Sequence, residues 1–243
     1  MDRFYYQNSI AEFLADSEDA IFGALARNHT FDLVDLQRNA WLYEIRLLKN
    51  MLAGSAGQIV FEYSIPRLGK RVDVVLLLRG IVFALEFKVG ADGYLRQDLE
   101  QVWDYALDLK NFHEASRDLA IVPILVATDA ADASVSMEAS QYDDHVFEPV
   151  LSNASSLPEI IARFTAKCAQ NIDLSRWVFS RYMPTPTIIQ AASSLYLNHS
   201  VADITKTEAS GENLQRTSEF VMNVIDHSRA NHEKSICFVT GVP

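Results

Sequence analysis

Two apolar runs, Val72–Leu78 and Ile81–Val89, stand on either side of Arg79-Gly80. Runs of this length and composition, split by a Gly-containing pair, form two strands joined by a tight hairpin. Side chains alternate faces along a strand. Phe83, Leu85, Phe87 and Val89 therefore share one face, and Val82, Ala84, Glu86 and Lys88 the other. In the first run Asp73 falls on the face of Val75 and Leu77. Two carboxylates and an ammonium inside such strands are costly unless they are paired or coordinated. One arrangement that meets the cost is a structural ion pair of Lys88 with Asp73 or Glu86. The other is an Asp…Glu-x-Lys metal site. There Asp73 and Glu86 hold Mg2+ through hard oxygen ligands, the ion activates a water, and Lys88 orients that water or neutralises developing negative charge. Carboxylates alone make a metal site; the added lysine favours phosphodiester chemistry.

Gly90 and Gly93 break the second strand, and a helix is predicted from about Tyr94 to Phe112. On it Gln97, Gln101 and Tyr105 recur at intervals of four and share one stripe, facing either water or a site. Gln101-Val-Trp-Asp-Tyr105 resembles the Gln-x-x-x-Tyr motif of RecB-like nucleases. With Asp73, Glu86 and Lys88, in the order strand, hairpin, strand, helix, the stretch resembles the PD-(D/E)-x-K nuclease superfamily. It departs at Val72, which stands where the name-giving proline would be. The resemblance implies an α/β fold with an αβββαβ core, a mixed central sheet flanked by helices. It implies Asp73 and Glu86 as metal ligands, Lys88 as a catalytic group, Mg2+ as cofactor with Mn2+ as its substitute, and Gln101, Tyr105 and Gln97 turned toward the substrate strand.

The remaining segments fit that order. Residues 1 to about 30 read as a helical cap, with Ser9-Ile-Ala-Glu12 as a capping box. A helix follows from about Leu33 to Leu52, with Trp41, Ile45, Leu48 and Leu52 as its apolar stripe and Glu44 within it. An acid there either reaches solvent at the stripe's edge or, as the resemblance implies, adds a metal or water contact. Gln58–Ile65 alternates as a strand, with Glu62 a lesser candidate acid, and Pro66-Arg-Leu-Gly69 is a turn. Leu119–Ala127 is a continuous apolar run, expected as a strand buried on both faces and parallel to the meander. Thr128 to Asp144 reads as a loop, His145–Leu151 as an outer strand, and Leu157–Cys168 as a helix opened by Ser156 and Pro158.

Charge is unevenly placed. The chain of 243 residues carries a net charge of −11, which counts against a general nucleic-acid-binding surface. Arg67, Lys70, Arg71, Arg79, Lys88 and Arg96 nevertheless gather around the proposed site, whereas Asp129, Asp132, Glu138, Asp143, Asp144 and Glu148 gather in the later loop. A local basic patch of this kind binds phosphate weakly and with strong salt dependence. There is no apolar run long enough to span a membrane and no signal peptide. Cys168 and Cys237 lie outside any metal or redox motif and read as reduced thiols in a cytoplasmic protein. Six scattered histidines argue against zinc.

From about Ile172 the character changes. Pro184–Ala192 is a proline-rich entry to a helix, and further helices are predicted near Val201–Thr205 and Leu214–Ser228. Lys234–Pro243 reads as an apolar strand running into Gly-Val-Pro, the opening of a phosphate-binding loop that stops after its first glycine. The segments YMPTPTIIQAASSLYLNHSVADI and KSICFVTGVP, with AEFL, FGAL and QRNAWLYEIRLLKNML near the start, resemble bacterial DNA/RNA helicase-domain proteins akin to Schlafen group 3. That resemblance implies a nuclease-like domain over 1–170, and over 171–243 a linker and the mainly helical opening segment of a P-loop ATPase. The chain would then be the N-terminal piece of a longer nuclease–ATPase, with ATP as a ligand only if it continues beyond Pro243. The expected reaction is metal-dependent hydrolysis of DNA (or RNA), in DNA processing or defence against phage. A catalytically inactive nucleic-acid or partner-binding module of the helicase is the alternative; activity confined to the ATPase is a third. Oligomeric state leaves no mark in the sequence.

Overall fold

The hairpin lies in the middle of the sheet. The computed structural model of the chain describes residues 3–29, 35–65, 71–133, 145–166, 172–183, 211–231 and 233–237. In chain order the elements are β1 (Tyr6–Ser9), α1 (Ile10–Ala15), α2 (Glu18–Asn28), α3 (Asp35–Met51), β2 (Gln58–Ser64), β3 (Arg71–Leu78), β4 (Ile81–Lys88), α4 (Arg96–Phe112), β5 (Ala120–Ala127), β6 (Val150–Ser152), α5 (Leu157–Thr165), α6 (Leu174–Val178) and α7 (Gly211–Asn231). The six strands form one sheet in the order of the sequence. β1 to β4 pair antiparallel, and β5 and β6 add in parallel after the α4 crossover. Arg79 and Gly80 both take positive φ, 49° and 87°, the requirement of the two-residue turn whose twist matches a hairpin.

Helices cover both faces. Phe61, Val74, Leu76, Phe83 and Leu85 pack against Phe13, Ile21, Trp41, Ile45, Leu48 and Phe164 of α1, α2, α3 and α5. Val60, Tyr63, Val75, Leu77, Val82 and Ala84 pack against Tyr105 and Leu109 of α4 and Trp177 and Val178 of α6. The sheet is thus the middle layer of three. Each fully buried large aliphatic or aromatic side chain contributes about 1.5–3 kcal/mol, which is why the apolar stripes of the sequence became these interfaces.

Three expectations are corrected. The N-terminal residues are not helical throughout: Tyr6–Ser9 pair with β2 as an edge strand, because the open side of β2 offers a ladder and Tyr5 and Tyr6 bury their rings there. The Ser9–Glu12 capping box then starts α1 as read. Ser156 does not cap α5 with its side chain. Asn153 Oδ1 instead accepts the N–H groups of Ser155 and Ser156, both at 2.9 Å. The outer strand is shorter and later than His145–Leu151; only Val150–Ser152 pair fully with β5, with a single bridge at Val146.

Two compact units make up the chain, Met1–Met183 and Pro184–Pro243. The first runs past the expected limit at residue 170, because Trp177 and Val178 of α6 are completely buried in its core. In the second, α7 extends the expected Leu214–Ser228 helix at both ends, and residues 233–237 form no strand. The 66–69 turn, Arg67, Lys70, Glu138, Asp143, Asp144, Cys168, the helices at 184–192 and 201–205, and the glycine loop at 241–243 lie outside the described residues. No helix among the described residues is long and apolar enough to cross a membrane.

Candidate active site

The site forms where β3 and β4 part. Their pairing ends at Val74 and Leu85, while β4 continues against β5 until Lys88 lies opposite Ala127. In the gap, Asp73 Oδ2 accepts the Phe87 N–H at 2.9 Å, replacing the backbone carbonyl of a continued ladder. β2 is bent at the same level. The register places Glu62 opposite Asp73, between the pairs Phe61–Val74 and Tyr63–Val72, and Glu62 has φ 55°. A left-handed glutamate is strained and persists only where its surroundings hold it. Trp41 Nε1 donates to Glu62 Oε1 at 2.8 Å, and an Arg71 Nη donates to the Glu62 carbonyl at 2.9 Å.

Both strands change faces at this point. Phe61 and Tyr63 are two residues apart yet enter opposite cores, and so do Val74 and Val72. Strict alternation puts Asp73 with Val75 and Leu77, but the reversal occurs at Asp73 itself, and its carboxylate turns toward β4.

Glu86 and Lys88 share a face as read. Lys88 Nζ donates to Glu86 Oε1 at 2.9 Å, lies 3.3 Å from Asp98 Oδ1, and lies 3.4 Å from Gln101 Oε1. Gln101 in turn donates to the Tyr105 hydroxyl at 2.6 Å. The other oxygen of Glu86, Oε2, is buried with no donor, and the Asp73 and Glu86 carboxyls lie within hydrogen-bonding reach of each other.

Electrostatics follow from that crowding. Burial, then Glu62, pushes Asp73 up to about 7, against the Phe87 N–H and Lys88. Burial, then Asp73, pushes Glu86 up to about 8. Glu44 is buried and raised well above its ordinary value by burial, then by Asp73, Glu62 and Glu86, so it does not reach solvent at the edge of its stripe. Burial also raises Glu62, opposed by Trp41 and Arg71. For Lys88, burial favours the neutral form, but the pairs with Glu86 and Asp98 outweigh it and the ammonium is held. Tyr105 is raised by burial and by Glu86.

Of the residues singled out in the sequence, Asp73, Glu86, Lys88, Glu44, Gln101 and Tyr105 come together, with Glu62 beside them. Gln97 does not: it is exposed, and Asp98, not foreseen, takes its place. The reason is helical arithmetic. Eight residues on a helix turn through two circuits plus roughly 80°, whereas seven fall within about 20° of two circuits. Asp98, seven before Tyr105, faces the sheet; Gln97, eight before, does not.

Searches against family models, curated proteins and solved structures found no match to this chain.

Among the described residues, no group of three or more His, Cys, Asp or Glu side chains is gathered closely enough to ligate one ion. Mg2+ does not need three, since it is commonly bound through one or two carboxylates and keeps several waters. Lys88 takes Glu86 Oε1 and leaves the buried Oε2 without a partner, so that this hard oxygen and the nearby Asp73 carboxyl are available to a cation. The residues present fit a hard divalent cation.

Proposed function

We propose that the first unit is a metal-dependent nuclease domain of the PD-(D/E)-x-K type that hydrolyses DNA phosphodiester bonds. The observation that carries the reading is the facing Asp73–Glu86 pair, with a buried, unpartnered oxygen, beside an ammonium held on the same strand. Asp73 and Glu86 would hold Mg2+ or Mn2+, and Glu44, buried beside them, would add a metal or water contact. Bound there, the ion supplies a water of lowered pKa and offsets charge on the phosphate. Lys88, kept protonated and fixed by Asp98 and Gln101, donates toward the phosphate oxygen where negative charge grows. Gln101, braced by the buried Tyr105 hydroxyl, would contact the scissile strand or support the ligands. The wider role, the N-terminal piece of a nuclease–ATPase in DNA processing or phage defence, is supported by the sequence resemblance alone.

A second reading is a catalytically inactive nucleic-acid or partner-binding module. Lys88 already occupies Glu86 Oε1, as a purely structural ion pair would. The two readings separate on Lys88→Ala and Asp73→Ala. Lys88 has no acceptor atom and cannot ligate a metal, so in a nuclease Lys88→Ala abolishes cleavage but frees Glu86 Oε1 and leaves Mn2+ binding equal or tighter. Asp73→Ala loses both. In the structural reading the wild type binds no Mn2+ near neutral pH. Lys88→Ala then only lowers stability, by less than the roughly 3–5 kcal/mol of a fully buried pair because the lysine is partly exposed, and the melting temperature with it. Calorimetric Mn2+ titration with a DNA cleavage assay reads the difference.

A further inference from the structure

A second feature lies beside α6, which packs on the same sheet face as α4 and the candidate active site. A cleft of about 330 Å3 is lined by Glu114, Ser175, Arg176, Phe179 and Arg181, among others. Phe179 is 58% exposed, and its ring makes a T-shaped contact with Phe4 at 6.0 Å between centroids. Ser175, Arg176 and Arg181 are exposed as well. A largely exposed aromatic ring with two guanidinium groups around one hollow is unusual on a chain of net charge −11. The basic side chains lining the cleft outnumber the acidic ones two to one. Two more arginines lie directly behind it. Arg3 donates to the Val178 and Ser180 carbonyls, and Arg117 to the Met183 carbonyl.

The cleft is joined to the site through β2. Glu62 faces Asp73; the next residue, Tyr63, reaches the Val178 carbonyl at 3.5 Å and packs on Trp177. Tyr63, Trp177, Val178 and Tyr105 share one core. Because α6 is pinned by His113, Ser116 and Tyr63, the cleft is a rigid part of the first unit. Aromatic faces beside guanidinium groups suit unpaired bases and their phosphates: the base stacks and the arginines pair with the backbone.

We propose that the Phe179 cleft is a binding subsite for single-stranded DNA, taking one unpaired base on the Phe179 ring and the flanking phosphates on Arg176 and Arg181. It rests on the nuclease reading for its purpose, since it would hold a strand that leaves or enters the candidate active site. A duplex cannot use it, because a paired base does not present its face.

The test is fluorescence anisotropy of a short fluorescein-labelled single DNA strand with the full chain in EDTA, so that binding is read without cleavage. Phe179→Ala is expected to weaken binding roughly five- to 150-fold, the range for removing one base stack. Arg176→Ala with Arg181→Ala should flatten the log–log salt dependence by roughly 1.4, about 0.7 for each phosphate no longer neutralised. These side chains are exposed, and a melting curve for each variant checks that folding is intact. Unchanged affinity and salt slope in folded variants overturn the subsite even if the wild type cleaves DNA, as does a wild type that binds no single strand. If the wild type cleaves nothing with Mg2+ or Mn2+ but the variants lose binding, the nuclease reading fails and the subsite stands.

Discussion

Asp73 and Glu86 make the metal-free protein pH-sensitive in an uncommon direction. Their folded values, about 7 and about 8, lie above the ordinary 3.8 and 4.5, and the two titrate as a pair. Between those limits the folded state holds more protons than the unfolded one, so stability is present at low pH and is lost as pH rises through the folded values. His113 works the other way. Burial lowers it from 6.5 to about 4, so its contribution grows as pH rises over that span. Above pH 6.5 only the carboxylates of these three groups still titrate. The melting temperature of metal-free protein is therefore expected to fall from pH 6.5 to about 8, the window set by those shifts. Saturating Mg2+ should flatten the fall. Asp73→Asn should melt higher than wild type at the upper end while cleaving nothing, a trade of stability against activity at one residue. A fall that survives unchanged in Asp73→Asn would place its origin elsewhere. The charged residues of this site were legible because charge in an apolar strand is conspicuous. Asp98 was hidden by a four-residue spacing that drifts around a helix, and the left-handed turn at Glu62 leaves no trace in a residue type that normally avoids it.

Among the elements, the long ones were legible and the short ones were not. β3, β4, β5, α3 and α4 each span eight residues or more, enough for a period to show. β1 has four residues and α6 has five, and both owe their form to what they pack on. For α6 that is a buried polar cluster: Trp177 Nε1 donates to Ser116 Oγ at 2.9 Å, His113 Nδ1 lies 2.7 Å from the same hydroxyl, and His113 Nε2 lies 3.1 Å from the Tyr63 hydroxyl. Ring contacts of Trp177 with His113 and Tyr63, at 4.6 and 4.9 Å, close it. Trp177→Ala removes the ring and deprives Ser116 of a donor. It should cost about 3–5 kcal/mol, or on the order of 10 °C in melting temperature for a unit of this size. Trp177→Phe keeps most of the packing and should cost only about 1–3 kcal/mol, the loss of one buried donor. Equal effects for the two variants would mean that the hydrogen bond, not the ring, holds α6.

At the scale of the molecule, the two units carry unequal shares of the chemistry. Met1–Met183 contains the whole sheet, both cores, the candidate site and the Phe179 cleft. It also carries 17 of the 21 Lys and Arg and 26 of the 32 Asp and Glu, so its long-range field repels DNA and binding depends on the local groups. Every side chain assigned a role in cleavage lies before Met183. A fragment of residues 1–183 is therefore expected to fold cooperatively and to cleave DNA with the metal dependence of the full chain. A fragment of residues 1–170 ends where the change in sequence character first suggested a boundary. It lacks Trp177 and Val178, both completely buried, and would expose Tyr63, His113 and part of the α4 face to water. It should be unstable or aggregate, since a large uncovered apolar patch seeks a partner. Thermal melts and a cleavage assay on the two fragments and the full chain decide the matter. If 1–170 melts as 1–183 does, α6 is an appendage and the cleft beside it loses its rigid base. If 1–183 folds but cleaves nothing while the full chain cleaves, residues 184–243 supply a group that the first unit lacks.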